Sequence, residues 1–238
     1  MSEIEIKLLL SEEVARTLWP RAQSAGLASE RPVTRTLRSI YWDTPDLALR
    51  AAGIALRTRR DGRRWLQTVK CGRSLQGGLS VAEEIETPAP GGRLDLVAIP
   101  DHAVRERIIA LVGGAPLQSV CQTTVRRTAG HVSMADGTRA ELAVDACIVD
   151  ASGRTASFVE AEIELVEGSP GRLFDLAQQL LPAGTLRFSR LAKSARGYLL
   201  AEKGVVEPPV SPRNAEAVLL EPSQTVEQAG CAVLRECL

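Results

Sequence analysis

Charged residues recur at every second position in the first segment of the chain. In Glu3-Ile-Glu-Ile-Lys7 the charged residues alternate with isoleucines, and a period of two is typical of a β-strand with one polar and one apolar face. The same alternation returns in segments 54–59, 81–86, 141–145 and 159–165, and more weakly in 64–70 and 121–128. Many such strands separated by turn signals predict an antiparallel sheet that closes on itself.

Helical patterns interrupt these strands. The expected helices occupy 101–112, 169–181 and a segment that begins at residue 11. Ser169 is expected to cap its helix, with Pro170 in the first turn, and Pro20 must kink or end the helix that Ser11 begins. The fold class is therefore α+β, a closed antiparallel β-barrel with helices packed outside.

The net charge excludes some classes of partner. Lys plus Arg and Asp plus Glu are both 29, so no overall basic field attracts nucleic acid or acidic membranes. The start of the chain lacks a basic and apolar leader, and no apolar run approaches the roughly 20 residues of a membrane span. We expect a cytoplasmic protein without nucleic-acid or membrane partners, in which any anion site is local.

Cysteine, histidine and glycine patterns exclude several kinds of site. The five cysteines are widely spaced and form no CxxC, which favours reduced thiols over disulfides or structural zinc. Neither of the two histidines lies in HExxH, and no GxSxG is present. The glycine pairs match neither a P-loop nor a dinucleotide-binding loop, so any phosphate must be bound by side chains.

The polar strand faces concentrate carboxylates together with bases. For one strand alone, a solvated face is the simpler interpretation, but adjacent carboxylates repel, and a bound cation is a natural reason to keep them. The acidic candidates are Glu3, Glu5, Glu84, Glu86, Glu141, Asp145, Glu160, Glu162 and Glu164, and the basic candidates are Lys7, Arg57, Arg59, Lys70, Arg126, Arg187 and Lys193. Pointed into a barrel, they form a lumen of both signs that suits a polyanion held with Mg²⁺ or Mn²⁺.

Further motifs follow the opening segment in a fixed order. They are Tyr41-Trp-Asp-Thr-Pro45, Leu56-Arg-Thr-Arg59, Thr68-Val-Lys70, Glu84-Ile-Glu86, Glu141 to Asp145, Glu160-Ala-Glu162 and Leu191-Ala-Lys-Ser-Ala-Arg-Gly-Tyr198. Together with the ExExK pattern of Glu3 to Lys7, they resemble the CYTH domains, or triphosphate tunnel metalloenzymes, over about residues 1–203. One departure is Ala82, where many members of that family have a basic residue.

The resemblance implies hydrolysis of a triphosphate, with Mg²⁺ or Mn²⁺ as cofactor and inorganic tripolyphosphate as substrate. It implies metal ligands at Glu3, Glu5, Glu160 and Glu162, catalytic roles for Glu3, Glu5, Lys7 and Arg126, and substrate contacts at Lys7, Arg57, Arg59, Lys70, Arg126, Arg187 and Lys193. Glu84, Glu86, Glu141, Asp145 and Glu164 would be additional lumen groups. For each residue the alternative is a salt-bridged lumen position without substrate contact, and the face of Arg187 is ambiguous.

Other functions share the same lumen chemistry. The family includes thiamine triphosphatases and class IV adenylate cyclases, and a non-catalytic polyphosphate-binding module is a further alternative. Aromatic residues make up 3% of the chain, which leaves few rings to stack on a base or a thiazole. The metal carboxylates favour an enzyme, because binding alone would need mainly bases.

The chain is expected to divide after its barrel. Residues 1–203 form the tunnel domain, and the proline-rich segment 204–223 is interpreted as a linker. Residues 224–238 have apolar residues at helical spacing and resemble the start of a truncated helical domain of the CHAD type. CHAD domains are associated with polyphosphate, so polyphosphate is the expected partner of such a C-terminal domain.

Overall fold

Eight antiparallel strands close into one barrel in the computed structural model of the protein, in the order β1-β5-β4-β3-β2-β6-β7-β8. The strands are β1 (Ser2–Leu10), β2 (Val33–Asp43), β3 (Ala55–Asp61), β4 (Arg64–Gln76), β5 (Leu79–Pro88), β6 (Gln118–Ser133), β7 (Arg139–Ala151) and β8 (Arg154–Glu167). The helices are α1 (Glu12–Ser24), α2 (Ala48–Ala51), α3 (His102–Val112), α4 (Arg172–Leu180), α5 (Lys193–Lys203) and α6 (Val226–Cys237). The structure describes residues 2–208 and 216–237, without the side chains at 235 and 237. The predicted α+β class and closed barrel are confirmed.

Strand register turns the charged faces inward. Glu5 of β1 stands opposite Glu164 of β8, and Lys7 stands opposite Glu162. Because side chains alternate between the faces of a strand, the isoleucines and leucines between these residues point outward. The outward apolar faces must therefore be covered by another layer.

Two groups of helices supply that layer. On one side, α1 and α4 bury Leu18 and Leu176 against outward residues such as Ile6 and Ile163. On the other side, α2 and α3 pack on the outer faces of β3 and β4, where Leu56 lies in the same buried cluster. Burial of each such side chain contributes about 1.5–3 kcal/mol. These helices therefore stabilise a barrel whose apolar face is outside and whose charged face is inside.

Helix α5 packs inside one end of the barrel. Its Leu200 shares a buried cluster with Tyr41, Cys121 and Val149, which belong to the inward faces of β2, β6 and β7. Gly197 allows this approach, because a Cβ there would lie 2.1 Å from the sulfur of Cys121. The barrel is thus filled at that end by a helix whose first residue, Lys193, reaches the lumen.

The Asp43 carboxylate joins α2 and α5 to the end of β2. One oxygen accepts hydrogen bonds from the backbone N–H of Thr44 and Leu49, and the other accepts from the N–H of Arg50 and the hydroxyl of Tyr198. The residue is fully buried, and a buried carboxylate is tolerated when its oxygens are this well satisfied. Asp43 and Tyr198, which both belong to the sequence motifs, therefore have structural roles.

The structure adds two details to the sequence prediction of the helices. Of the two outcomes expected at Pro20, a kink or an end, the end does not occur, because α1 continues to Ser24. Burial of Leu18, Trp19 and Ala22 on both sides of Pro20 offsets the cost of about 3 kcal/mol for an interior proline. Ser169 does not cap α4, because its backbone carbonyl rather than its hydroxyl accepts the N–H of Arg172. The predicted starts at Ser11 and Asp101 are confirmed by side-chain caps.

The described chain divides into two compact units, residues 1–207 and 208–238. In the second unit Thr225 and Gln228 cap α6 reciprocally, so the predicted C-terminal helix is confirmed as a helix. Residues 209–215 of the predicted linker lie outside the described residues, and the CHAD-type assignment stays a prediction. None of the described helices has the length and apolar character needed to cross a membrane.

Candidate functional site

The barrel encloses a cavity of about 460 Å³, a size typical of small-ligand sites. Its charged lining comprises the bases Lys7, Arg57, Arg59, Lys70, Arg127 and Lys193 and the acids Glu3, Glu84, Glu86, Glu162 and Glu164. Uncharged lining residues include Tyr41 and Ser194. Strands from all sides of the barrel and the start of α5 therefore converge on one polar lumen.

Glu162 is the hub of the lumen charges. Its carboxylate contacts the ammonium groups of Lys7 at 2.6 Å and Lys193 at 2.8 Å, and it also pairs with Arg127. Burial opposes ionisation, but Lys193, Lys7 and Arg127 together hold the pKa of Glu162 well below its ordinary value. This carboxylate is therefore a stable anion, shared among cations from β1, β6 and α5.

Lys7 links the carboxylates of two neighbouring strands. Its nitrogen lies 2.7 Å from Glu5 on its own strand and 2.6 Å from Glu162 on β8. Both Lys7 and Glu5 are more than nine-tenths buried, where an unpaired charge would be costly. One cation is thus already shared between the acidic side chains of β1 and β8.

Lys193 carries positive charge from α5 into the deepest acidic group. Its nitrogen lies 2.8 Å from Asp145 and 2.5 Å from Glu160, and both carboxylates are completely buried. Arg127 approaches Asp145 from the other side with two hydrogen bonds, of 2.8 and 2.7 Å. The forked geometry suits a guanidinium and fixes its plane in the lumen.

A second set of ion pairs lines the β4 and β5 side. Lys70 lies 2.5 Å from Glu3 and 2.8 Å from Glu84, and Arg57 lies 2.9 Å from Glu84. These contacts connect β1, β5, β4 and β3, which are consecutive strands of the barrel wall. Thr68 donates a hydrogen bond to Glu86, whose side chain is the most exposed of the acids here at 41%.

Positive charge is poorly compensated at one place in this network. Arg59 forms no ion pair with any carboxylate in the described ranges, and its nearest hydrogen-bond acceptor is the Ser39 hydroxyl at 3.4 Å. Burial, followed by repulsion from Arg57 and from Arg127, lowers the pKa of Arg59 to about 10. Nε of Arg57 is buried and has no hydrogen-bond partner among the described residues. The lumen therefore has unused capacity to bind an anion beside these arginines.

Negative charge accumulates on the opposite side. Glu5, Glu164 and Glu141 stand opposite one another on β1, β8 and β7, and like charges in such cross-strand pairs repel. Burial, together with Glu3, Glu5 and Glu141, raises the pKa of Glu164 to about 7. Burial also raises the pKa of Glu3, with Glu5 and Glu84 adding to the effect. A bound cation would relieve this repulsion.

The donor set fits a divalent ion that prefers oxygen. Glu3, Glu5, Glu160 and Glu162 all bring carboxylates to the inward face, and these are the ligands that Mg²⁺ and Mn²⁺ favour. In addition, Oε2 of Glu160 is buried and accepts no hydrogen bond within the described part of the chain. A buried carboxylate oxygen without a partner is costly, and a cation would satisfy it.

Two of the predicted basic residues do not face the lumen. Arg126 is exposed and lies in an outer groove beside Trp19 and Ala146, and its neighbour Arg127 takes the inward position opposite Asp145. The error arose because β6 carries two adjacent arginines in a weakly alternating segment. Val125, two residues before Arg127, lies on the same face, and Asp145 stands opposite Arg127; these two residues identify Arg127 as the inward one. Arg187 is exposed in a segment that pairs with the end of β1 and does not line the cavity.

The other predicted site residues share the inward face. The cavity lining contains Glu3, Lys7, Arg57, Arg59, Lys70, Glu84, Glu86, Glu162, Glu164 and Lys193, while Glu5, Glu141, Asp145 and Glu160 contact or oppose these residues. Sequence reasoning missed Arg127 and Tyr41 as lining residues. Tyr41 stands opposite Arg57, but one aromatic residue in a β-strand gives no signal of its own.

We predict that Glu164 titrates near neutral pH in metal-free protein. Its folded-state pKa, about 7, exceeds its ordinary value of 4.5, so the folded protein binds this proton more tightly than the unfolded chain. The free energy of unfolding should therefore decrease as pH rises between these values. Glu3, Glu5, Glu141 and Lys70 face the same group.

Urea unfolding across that pH range, in the presence of EDTA, measures this slope. Glu164→Gln should reduce it, because the glutamine has no proton to lose. An equal slope in wild type and Glu164→Gln would contradict the assignment of the raised pKa to this carboxyl group.

Known proteins share this fold. A candidate adenylyl cyclase from Hippeastrum, described by its dominant triphosphatase activity, is 20% identical with a TM-score of 0.58, over 84% of this chain and 96% of that one. A candidate adenylate cyclase from Bacillus halodurans is 19% identical with a TM-score of 0.52, over 80% and 94%. At these identities the likeness concerns the fold alone.

Sequence comparison also identifies relatives of this chain. An inorganic triphosphatase from Haemophilus influenzae is 26% identical over 205 residues, which cover 85% of this chain and 56% of that protein. The chain thus spans about half the length of this curated relative. The sequence profile of the CYTH domain matches residues 1–198, and the chain therefore belongs to the CYTH domain family, the triphosphate tunnel metalloenzymes.

Proposed function

We propose that the lumen binds inorganic tripolyphosphate with Mg²⁺ or Mn²⁺ and hydrolyses it to pyrophosphate and phosphate. The observation that carries this proposal is the uncompensated positive charge of Arg59, beside the free Nε of Arg57, in a cavity that also holds Arg127. Guanidinium groups match the forked oxygens of a phosphoryl group. A polyanion would supply the missing negative charge.

The basic residues of the lumen are proposed to make two kinds of contact with the substrate. Arg57, Arg59 and Arg127 orient the phosphate chain through directed hydrogen bonds, while Lys7, Lys70 and Lys193 act as point charges around it. Each lysine already contacts a carboxylate, so binding exchanges internal ion pairs for contacts with the substrate. Such an exchange limits the desolvation cost of taking a highly charged ligand out of water.

The carboxylates Glu3, Glu5, Glu160 and Glu162 are the proposed ligands of the divalent ion. When bound, the ion supplies positive charge against the oxygens of the transferring phosphoryl group. Glu3 and Glu5 hold their oxygens beside Lys70 and Lys7, so the proposed metal ligands adjoin the proposed phosphate contacts. Water attacks the terminal phosphorus, the P–O bond to the bridging oxygen breaks, pyrophosphate leaves with that oxygen, and the proton of the water passes to the product phosphates or to solvent.

The lining favours an inorganic substrate over a nucleotide or a thiamine ester. Of the described residues that line the cavity, only Tyr41 is aromatic. Trp42 instead donates a hydrogen bond to Thr58, and Trp65 packs against Gly92. Without a second ring, a base or thiazole has little surface on which to stack.

The names of relatives support the same proposal. The Haemophilus influenzae relative is named an inorganic triphosphatase, and triphosphatase activity dominates in the Hippeastrum protein. The cyclase description of the Hippeastrum and Bacillus proteins makes cyclic AMP formation the second candidate. Cyclisation would need the same lumen with a ribose hydroxyl as the attacking group.

We predict phosphate release from tripolyphosphate that requires Mg²⁺ or Mn²⁺ and stops in EDTA, with ATP and thiamine triphosphate much poorer substrates. The measurement is a phosphate assay on the three substrates, with the ATP reaction also analysed for cyclic AMP. Cyclic AMP as the main product would replace the proposal with a cyclase. Binding of tripolyphosphate without turnover of any substrate would replace it with a polyphosphate-binding module.

Adjacent arginines give a matched pair of variants. Arg127→Ala should reduce kcat/KM for tripolyphosphate by about 100-fold or more, because loss of one donor to a transferring group costs roughly 3 kcal/mol. Arg126→Ala removes the same side chain from the outer face and should leave kcat/KM close to wild type. Circular dichroism checks that both variants fold.

Equal kcat/KM in the two folded variants would contradict the placement of the phosphate site in the lumen. A loss confined to Arg126→Ala would point to the outer groove instead.

A further inference from the structure

A buried cysteine lies among the deepest carboxylates of the lumen. The sulfur of Cys147 and one carboxylate oxygen from each of Asp145 and Glu160 all lie within 4.8 Å of one another. The three residues occupy the inward faces of β7 and β8, where Asp145 stands opposite Glu160. Their side chains are almost completely buried.

A second observation points to a missing ligand at this place. Oε2 of Glu160 is buried without a hydrogen-bond partner among the described residues. The other oxygen of Glu160 is bound by Lys193 at 2.5 Å, which leaves Oε2 as an unused acceptor in an interior where such atoms are normally satisfied. The carboxylate therefore still has coordinating capacity.

The donor set shares Glu160 with the proposed magnesium or manganese site but differs from it by the sulfur of Cys147, so at Glu160 the two kinds of ion are alternatives. A thiolate is a soft ligand that selects zinc-like ions, whereas carboxylates alone suit hard ions. We infer that Asp145, Cys147 and Glu160 form a binding site for a thiophilic divalent cation of the Zn²⁺ and Cd²⁺ class. On binding, the Cys147 S–H bond breaks, its proton leaves to solvent and the sulfur electron pair forms the bond to the metal.

Lys193 occupies the approach to this site. Its ammonium contacts both Asp145 and Glu160 and also lines the cavity, so an ion that enters through the lumen meets the ammonium first. A divalent cation and an ammonium repel at such distances. Metal binding therefore requires Lys193 to leave the two carboxylates, and the helix-borne ammonium and the cation compete for one position.

This inference does not depend on hydrolysis of triphosphate. Its test is the titration of EDTA-treated protein with Cd²⁺, followed by the ultraviolet charge-transfer absorption of a cadmium–thiolate bond. The parent protein carries Cys231→Ser and Cys237→Ser, because Cys231 is exposed and could bind cadmium on its own. We expect the band in the parent and its loss in Cys147→Ser.

The matched control is Cys121→Ser, which removes another buried thiol from the inward face of a neighbouring strand. It should retain the band. A parent without the band, or a band that persists in folded Cys147→Ser, would overturn the site. Should the serine variant not fold, Cys147→Ala repeats the test, and a parent that shows no band overturns the site by itself.

The competition between Lys193 and the metal ion can be measured separately, through the affinity for Cd²⁺. Lys193→Met removes the ammonium and should increase the affinity for Cd²⁺ by at least about ten-fold, since a bound cation no longer displaces an ion-paired lysine. The band intensity at saturation should stay the same. Unchanged or weaker affinity in the folded variant would contradict the exchange, whether or not the protein hydrolyses tripolyphosphate.

Discussion

The pairing of buried charge governs this structure. Placing carboxylates such as Glu162 inside a barrel would cost several kcal/mol per ion without partners, and the lumen meets this cost by surrounding Glu162 with Lys7, Arg127 and Lys193. These partners come from β1, β6 and α5, so the charges can be satisfied only in the closed barrel with α5 in place. The same inversion leaves the apolar strand faces outside, which is why α1 to α4 must cover them.

The lumen network contains more carboxylates than bases and its charge is distributed unevenly, which suits it to exchanging partners. Around Glu162 each charge has a partner of opposite sign. In contrast, positive charge is in excess at Arg59, which has no ion pair among the described residues and is repelled by Arg57 and Arg127, and negative charge is in excess where Glu5, Glu164 and Glu141 crowd together. A phosphate chain and a divalent cation complement these two excesses respectively. The proposed substrate and its metal would thus enter together at modest electrostatic cost, each one screening the charge that the other introduces.

The alternation in Glu3 to Lys7 and its later counterparts was sufficient to predict the barrel, its polar lumen and most of the charged residues that face it, because a strand period of two fixes the shared face. It was insufficient at Arg126 and Arg127, since β6 alternates weakly and the face there is decided by pairing with Asp145 on β7. The roles of Tyr41 and Cys147 depend on contacts with α5 and β8 that no local pattern encodes. At Pro20, tertiary burial continues α1 past a residue that can end a helix.

The most direct test of the lumen as a triphosphate and metal site is a crystal structure with Mn²⁺ and a non-hydrolysable imidotriphosphate. We expect phosphate oxygens against Arg57, Arg59 and Arg127, and the anomalous signal of manganese beside carboxylates of β1 and β8. The ion pairs of Lys7 and Lys193 should rearrange towards the ligand. A ligand bound outside the barrel, or a lumen whose ion pairs are unchanged at saturating ligand, would contradict the account.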